Sequence, residues 1–378
     1  MVQKSRGSRD GQQYLGLIDP ASSSFPQIHL VGRLFHDVRL RSINPTHSLL
    51  INGLGVGHVR RLAAIARSLR RLACDNKANI DQVFLTSSEA GQILLMERLA
   101  CLKLASLEVI GECGVEKTSY LIFAQQWIRK AVELLKPDVF VVDTFPQGAF
   151  NELPQLLTLA RKRCLICRPC RTAQEERYQS ALSDYDALLV PELREHAHIV
   201  VPHSLQGRVE YYGPVIARDT QDLLSREEAR SRLGVNPQHL VIYASLGGGG
   251  DPAAQSIFDW ILLALKQLDN VRIVVGAGSL YRGVIHHSSN VIWWSDLSAC
   301  ELMQAFDIAI SAAGYNSFVE LMHFGVPTIF LPLSRISDDQ EGRAERAAKG
   351  RRPSSSSTCS AKPTARRDST VAIPSGES

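Results

Sequence analysis

The chain has 378 residues, enough for two domains with separate cores, and its 45% hydrophobic and 21% charged residues are ordinary for a folded soluble protein. The net charge of +4 sits at the ends: residues 1–45 hold six basic and three acidic residues, and residues 351–378 hold five and two. The body between them is slightly acidic, which excludes a nucleic-acid binder with its basic excess on the folded part.

No apolar run approaches the ~18 residues that span a bilayer. The polar start, MVQKSRGSRDGQQ, lacks the apolar stretch of a signal peptide, so the expected location is cytoplasmic with reduced thiols.

Residues 1–45 are weakly patterned and read as a partly disordered extension. Order begins with the apolar run 48–52, which stops at Gly53. A helix is predicted over 57–73, with Leu62, Ile65, Ala66 and Leu69 on one stripe. Its Arg60, Arg61, Arg67, Arg70 and Arg71 fall elsewhere and read as a solvated face, the alternative being a surface for anionic lipid. Strand 82–86, helices 89–105 and 118–135, strand 138–142, helix 150–162 and strands 164–168, 187–190 and 209–212 follow.

A polar stretch near 217–238 separates this from a second round. Strand 240–245 runs into Gly247–Gly250; then come helix 252–268, strands 271–275 and 291–293, helix 298–305, strand 307–310, helix 316–324 and strand 327–331. A further helix starts near Asp339, and the Ser-rich segment 351–378 reads as disordered. Alternating strands and helices predict parallel sheets covered on both faces, in two units over 46–215 and 216–350. A ligand is expected in the crevice between them, at the carboxyl ends of the strands.

Cys164, Cys167 and Cys170 read C-x-x-C-x-x-C, but no second pair at ligand spacing follows, and 164–168 reads equally as a buried strand. Packing is the better reading.

Four constellations carry chemistry. Gly53-Leu54-Gly55-Val56-Gly57-His58 joins a strand to a helix, where glycines permit close backbone approach and His58 faces the crevice. An imidazole there suits a general base. Asp143 ends the run VFVVD at the same sheet edge, where a carboxylate on Nδ1 would orient the ring and leave Nε2 to take a proton. The bland alternatives are a packed turn and a helix-capping Asp. Gly247–Gly250 expose backbone N–H groups as a phosphate cradle, in a pattern that is neither a dinucleotide fingerprint nor a P-loop.

The most specific block is 307–340. Small residues Ser311 to Gly314 turn into a helix start at Asn316 and Ser317, suited to an anionic phosphate. Glu320, on the first turn, can accept from vicinal hydroxyls, or simply complement the helix dipole. Asp338, Asp339 and Gln340 can bond sugar hydroxyls, or cap a helix. Trp293 and Trp294 read as a base edge or, more often, as packing.

Gly55-x-Gly57-His58, Asp143 and the 311–340 block together resemble family 28 glycosyltransferases, over roughly 48–350 and most strongly over 291–345; GLGVGHVRR is similar to an uncharacterised bacterial branch of them. The resemblance implies an α/β protein of the GT-B type: two Rossmann-like doubly wound parallel-sheet domains facing across a cleft. It implies an inverting transfer of a hexosyl group (N-acetylglucosaminyl among the candidates) from a UDP-sugar to an acceptor hydroxyl. No cofactor and no metal are implied. The acceptor would be a glycan, a lipid-linked or a small molecule, with the protein at most peripheral to the inner membrane face.

By position, Gly247, Gly248, Gly314, Asn316 and Ser317 would face the diphosphate. Glu320 would hold the ribose, Gln340 or Asp339 the sugar, and Trp294 to Leu297 the uracil, with His58 the base and Asp143 its orienting carboxylate. Ala313-Gly314 stands where the family has a Gly-Gly pair. The family continues with further helices where this sequence has its Ser-rich tail, so the second domain is expected to be incomplete. The alternatives are a UDP-sugar hydrolase or epimerase on the same scaffold, and a non-catalytic, truncated nucleotide-sugar-binding protein.

Overall fold

The computed structural model describes residues 46–52, 55–168, 175–195, 197, 199–294, 297–333 and 338–350. The extension 1–45, Gly53, Leu54, Cys170 and the Ser-rich segment 351–378 lie outside the described residues, with the expectations attached to them.

Seven parallel strands form the first sheet: β1 (Thr46–Asn52), β2 (Ile80–Thr86), β3 (Ala100–Lys103), β4 (Val139–Asp143), β5 (Lys162–Ile166), β6 (Ala187–Val190) and β7 (Val209–Tyr211). Their order is β3-β2-β1-β4-β5-β6-β7. Burial of both faces explains why β4 is apolar up to its terminal Asp143. Val139 and Val141 face a core built with helix α1 (Val56–Asp75). Phe140 and Val142 face the core of the long helix that ends at Leu135, with Ala124, Ile128 and Val132.

The second sheet has β8 (Leu240–Ser245), β9 (Val271–Gly276), β10 (Val291–Trp294), β11 (Ile308–Ser311) and β12 (Thr328–Phe330), in the order β10-β9-β8-β11-β12 and all parallel. Each sheet reverses its strand order once, at β1/β4 and at β8/β11, and the crevices at those points face each other. This is the doubly wound α/β arrangement expected of both halves.

Several local expectations fail for identifiable reasons. The predicted helix 89–105 is a short helix α2 (Gln92–Met96) followed by edge strand β3, with Arg98 at φ +53° breaking the helix between them. The predicted helix 150–162 is two 3₁₀ turns, Leu153–Gln155 and Leu157–Leu159, because Pro154 cannot continue a helical ladder. The predicted helix 298–305 is a 3₁₀ run, Leu297–Ala305.

The remaining helices are α3 (Leu107–Glu112), α4 (Lys117–Leu135), α5 (Glu176–Ala181), α6 (Arg226–Arg232), α7 (Ala254–Leu265), α8 (Tyr315–His323) and α9 (Gln340–Gly350). Helix α6 falls inside the stretch read only as polar, and its Ser225/Glu228 capping box was visible as S-x-x-E.

Of the arginines of α1, Arg70 is exposed as expected, but Arg61, Arg67 and Arg71 depart from both readings. Arg61 is buried, at 2% exposure. Arg67 donates to Asp222 at 2.6 Å, and Arg71 pairs with Asp219 and Asp222, so both grip the segment that enters the second lobe. Arg218 in that segment bridges Glu97 of the first lobe (2.5 Å) and Glu301 of the second (2.8 Å). Most of this helix face is therefore an interlobe seam.

Cys164 and Cys167 are buried, and burial pushes the Cys164 thiol up to about 12, as packing residues of β5 and its end require. Among the described residues, no helix is long and apolar enough to cross a membrane.

Candidate active site

A cleft of about 320 Å³ separates the lobes and is lined from both sides. From the first lobe come Gly55, Gly57, His58, Thr144 and Arg168; from the second come Gly247, Gly248, Gly278, Ser279, Gly314, Asn316, Ser317, Asp338 and Gln340.

His58 stands on the first turn of α1, and its Nδ1 lies 3.0 Å from Asp143 Oδ2 at the end of β4. The two sequence-predicted partners thus meet across 85 residues of chain. Asp143 is 1% exposed and has a second partner that sequence reasoning missed. Arg61, one turn beyond His58 on the same face of α1, donates from Nη2 to Oδ2 at 2.7 Å and to Oδ1 at 3.0 Å, and from Nε to Oδ1 at 3.3 Å.

Burial alone would raise the Asp143 carboxyl. The Arg61 charge, the His58 ring and their hydrogen bonds outweigh it and hold the group well below the usual carboxylate range. Burial likewise pulls the Arg61 guanidinium down, and Asp143 more than offsets it. Thr144 caps the arrangement. It adopts φ +67°, strained for a β-branched residue, while its hydroxyl donates to Asp143 Oδ1 at 3.0 Å.

The opposite wall is glycine and small polar groups. Gly247 and Gly278 take φ +82° and +85°, and a Cβ on Gly278 would fall 2.4 Å from Gly247 O. Gly278 and Ser279, at the end of β9, were not singled out from sequence, although V-G-A-G-S carries the signal. Gly314 is the N-cap residue of α8, which presents its first turn to the cleft. Asn316 Nδ2 donates to Gly57 O at 3.1 Å, joining the two walls.

Other predicted residues sort clearly. Glu320 lies on the second turn of α8, not the first, and is 3% exposed. Burial raises its carboxyl, partly offset by the Arg60 and Arg218 charges. With Trp294 it lines a narrow recess of about 30 Å³ that shares Gly247, Gly278 and Ser317 with the cleft. Trp294 Nε1 is buried with no hydrogen-bond partner among the described residues. Trp293 is a packing residue, stacked on Tyr281 and edge-on to Phe258. Leu297 opens the 3₁₀ run, and its side chain lies outside the described residues.

Gln340 lines the cleft, its Oε1 accepting from Leu333 N at 2.9 Å. Asp339 takes the capping alternative, accepting from Gly342 N at 3.0 Å on the solvent side. Its neighbour Asp338 faces the cleft instead and accepts from Arg168 at 3.3 Å and Arg343 at 2.5 Å. Ala313 packs against Ile216 and Phe318 and does not line the cleft.

Two facing doubly wound sheets with a ligand-sized cleft between their switch points define the GT-B class. Among solved structures, the spinosyn rhamnosyltransferase SpnG superposes with a TM-score of 0.51 at 12% identity, over 80% of this chain and 84% of that one. The UDP-GlcNAc 2-epimerase from Neisseria meningitidis gives 0.50 at 14%, over 80% and 91%. At these identities the likeness is one of fold.

Residues 262–350 match the glycosyltransferase family 28 C-terminal domain. In this second-lobe segment the chain is similar to family 28 glycosyltransferases. It is 26% identical over 147 residues to the UDP-N-acetylglucosamine–N-acetylmuramyl-(pentapeptide) pyrophosphoryl-undecaprenol N-acetylglucosamine transferase of Aquifex aeolicus. That match spans 34% of this chain and 38% of the relative.

Proposed function

We propose that the protein transfers a hexosyl group from a UDP-sugar to an acceptor hydroxyl by a single, inverting displacement. The observation that supports this most directly is the His58–Asp143 pair at 3.0 Å, facing the first turn of α8 within one cleft.

His58 Nε2 takes the proton of the acceptor hydroxyl while Asp143 holds Nδ1 and stabilises the imidazolium. The acceptor oxygen attacks the anomeric carbon, and the bond to the diphosphate breaks on the opposite side. The α8 N-terminus and the backbone N–H groups around Gly247 and Gly248 receive the charge that develops on the leaving diphosphate, with Ser317 beside them. Glu320 in its recess serves the ribose and Gln340 the sugar, while Trp294 borders the base. Helix dipole and amides do the work a divalent cation would otherwise do, so a chelator should leave the rate within about twofold.

The decisive experiment screens UDP-, dTDP- and GDP-sugars by thermal shift, then follows nucleotide release with His58→Ala. UDP-sugars should stabilise the fold, and the variant should lose about 10²–10⁴ in kcat. A loss below about tenfold would remove His58 as the base. Free sugar released at full rate without any acceptor would point to hydrolysis or epimerisation instead.

A further inference from the structure

We infer that Tyr315 is a positioning residue that ties the phosphate-facing end of α8 to the His58 base through Arg61. The inference rests on the reading of His58 as base, and it goes further by making the orientation of that base depend on the opposite lobe.

Tyr315 is the first residue of α8 and is 5% exposed. It packs with Ala313, Phe318 and Val319 of its own lobe, while its ring face and hydroxyl reach the first lobe and the segment leaving it. Arg168 Cζ lies 4.4 Å from the ring centroid and Arg61 Cζ 5.6 Å from it. The hydroxyl donates to Pro191 O and accepts from Val215 N at 3.4 Å. Burial pushes the phenol up to about 12, so it keeps its proton and remains a donor.

From the ring, direct contacts run to Arg61, from Arg61 to Asp143, and from Asp143 to His58. Arg61 commits Nε and Nη2 to Asp143, and among the described residues its buried Nη1 has no hydrogen-bond partner. Nη2 also lies 3.4 Å from His58 Nδ1, and the aromatic face is the further contact that the opposite lobe adds to this guanidinium. A second tie runs beside the first, since Asn316, the next residue of α8, holds the carbonyl of Gly57, the residue before His58. When the lobes part, Arg61 keeps its bonds to Asp143 but loses its aromatic face, and the guanidinium and the carboxylate it holds gain freedom to shift relative to the imidazole. The base is then assembled only when α8 is seated, which couples proton abstraction to a closed donor pocket.

The test reads the His58 Nδ1 proton by one-dimensional NMR in nucleotide-free protein, the signal being assigned by its loss in Asp143→Asn. Wild type should show a downfield resonance. Tyr315→Phe, which keeps the ring, should retain its solvent-exchange rate within about twofold, whereas Tyr315→Leu should raise it at least about tenfold. Arg61→Lys, which keeps charge without the planar fork, should act as Tyr315→Leu does and serves if the leucine variant fails to fold.

In UDP-sugar turnover, the Tyr315→Leu/Arg61→Lys double variant should be no slower than the worse single variant, because both act through one carboxylate. An unchanged exchange rate in folded Tyr315→Leu, absence of the wild-type resonance, or additive kinetic losses would overturn the inference. The NMR arms need no turnover. If His58→Ala kept the rate, the base reading would fall while these arms still decided the coupling.

Discussion

In the proposed reaction the two lobes use one topological device for opposite kinds of chemistry. In the first, the turn after β1 delivers His58 and the end of β4 delivers Asp143; in the second, the turn after β8 delivers Gly247 and Gly248, and the end of β11 leads into Gly314 to Ser317. One switch point is filled with buried charge, the other with backbone amides and small side chains. Proton abstraction needs a group whose charge changes, held by partners that tolerate the change. Holding a diphosphate needs fixed dipoles that approach closely, and side chains would only stand in the way. The comparison teaches that the division of labour lies in what is placed at the crevice, because the sheets behind it wind alike.

The heaviest blow to this comparison is removal of the carboxylate. Asp143→Ala leaves Arg61 buried without its ion partner, so it should cost about 3–5 kcal/mol in urea denaturation, if the protein folds at all. A cost below about 1 kcal/mol would mean that the charge at the first switch point is not structural.

The first lobe also hides a carboxyl without an ion partner among the described residues. Glu152 is 5% exposed, and burial pushes it up to about 7 against an ordinary 4.5, although the Phe150 N–H donates to it at 2.8 Å. The folded state therefore holds a proton that the unfolded chain releases between these values, and stability falls as pH rises through that window. Glu152→Gln should stabilise by up to about 3 kcal/mol at pH 8 and by almost nothing at pH 4.5. A pH-independent effect would show that the buried carboxyl stays ionised. The pair sharpens the contrast within one lobe: Asp143 keeps its charge because Arg61 is there, and Glu152 gives its charge up.

Much of this was readable in the chain. Short, largely apolar runs located β4, β6 and β8, because strands buried on both faces leave no other pattern. Asp143 was legible because a strand that ends in Asp puts the carboxylate at the sheet edge where His58 also sits. Arg61 was not. An arginine on an amphipathic helix reads as solvated, and its partner lies 82 residues away. Tyr315, just ahead of the predicted helix 316–324, drew no reading because its ring meets the other lobe, which no local spacing reports. Asp339 and Asp338 differ only in which way the chain leaves the loop, so sequence left the cap and the cleft residue interchangeable. The edge strand β3 was lost for a similar reason, since a left-handed Arg98 carries no signature.

Glycine exchange tests the other side of the comparison. Gly278→Ala forces a side chain into φ +85° and toward Gly247 O at 2.4 Å, so it should destabilise by about 1–3 kcal/mol and weaken UDP binding at least about tenfold. Gly57→Ala sits inside α1, where an added Cβ would meet only Asn316 Nδ2 at 3.6 Å. It should be neutral or slightly stabilising in thermal melts. Equal effects at both positions would erase the distinction between a glycine that cradles and one that merely turns.

The smallest effect is assigned to Asn316. Its amide Nδ2 is engaged by Gly57 O, so the side chain works as a bridge between lobes, while the proposed reaction leaves the N–H groups of α8 and the Ser317 hydroxyl for the diphosphate. Asn316→Ala should therefore weaken UDP by no more than about threefold in calorimetry, the loss of one partly exposed hydrogen bond. Ser317→Ala, by contrast, should cost about threefold to tenfold in UDP affinity. The turnover of Asn316→Ala should fall by more than its UDP affinity does, because the bridge ends beside the base and its value lies in closure. If Asn316→Ala instead weakened UDP by more than about tenfold, the amide would be a phosphate ligand. The contact with Gly57 would then be a resting position that the nucleotide displaces, and the tie between the two switch points would rest on Tyr315 alone.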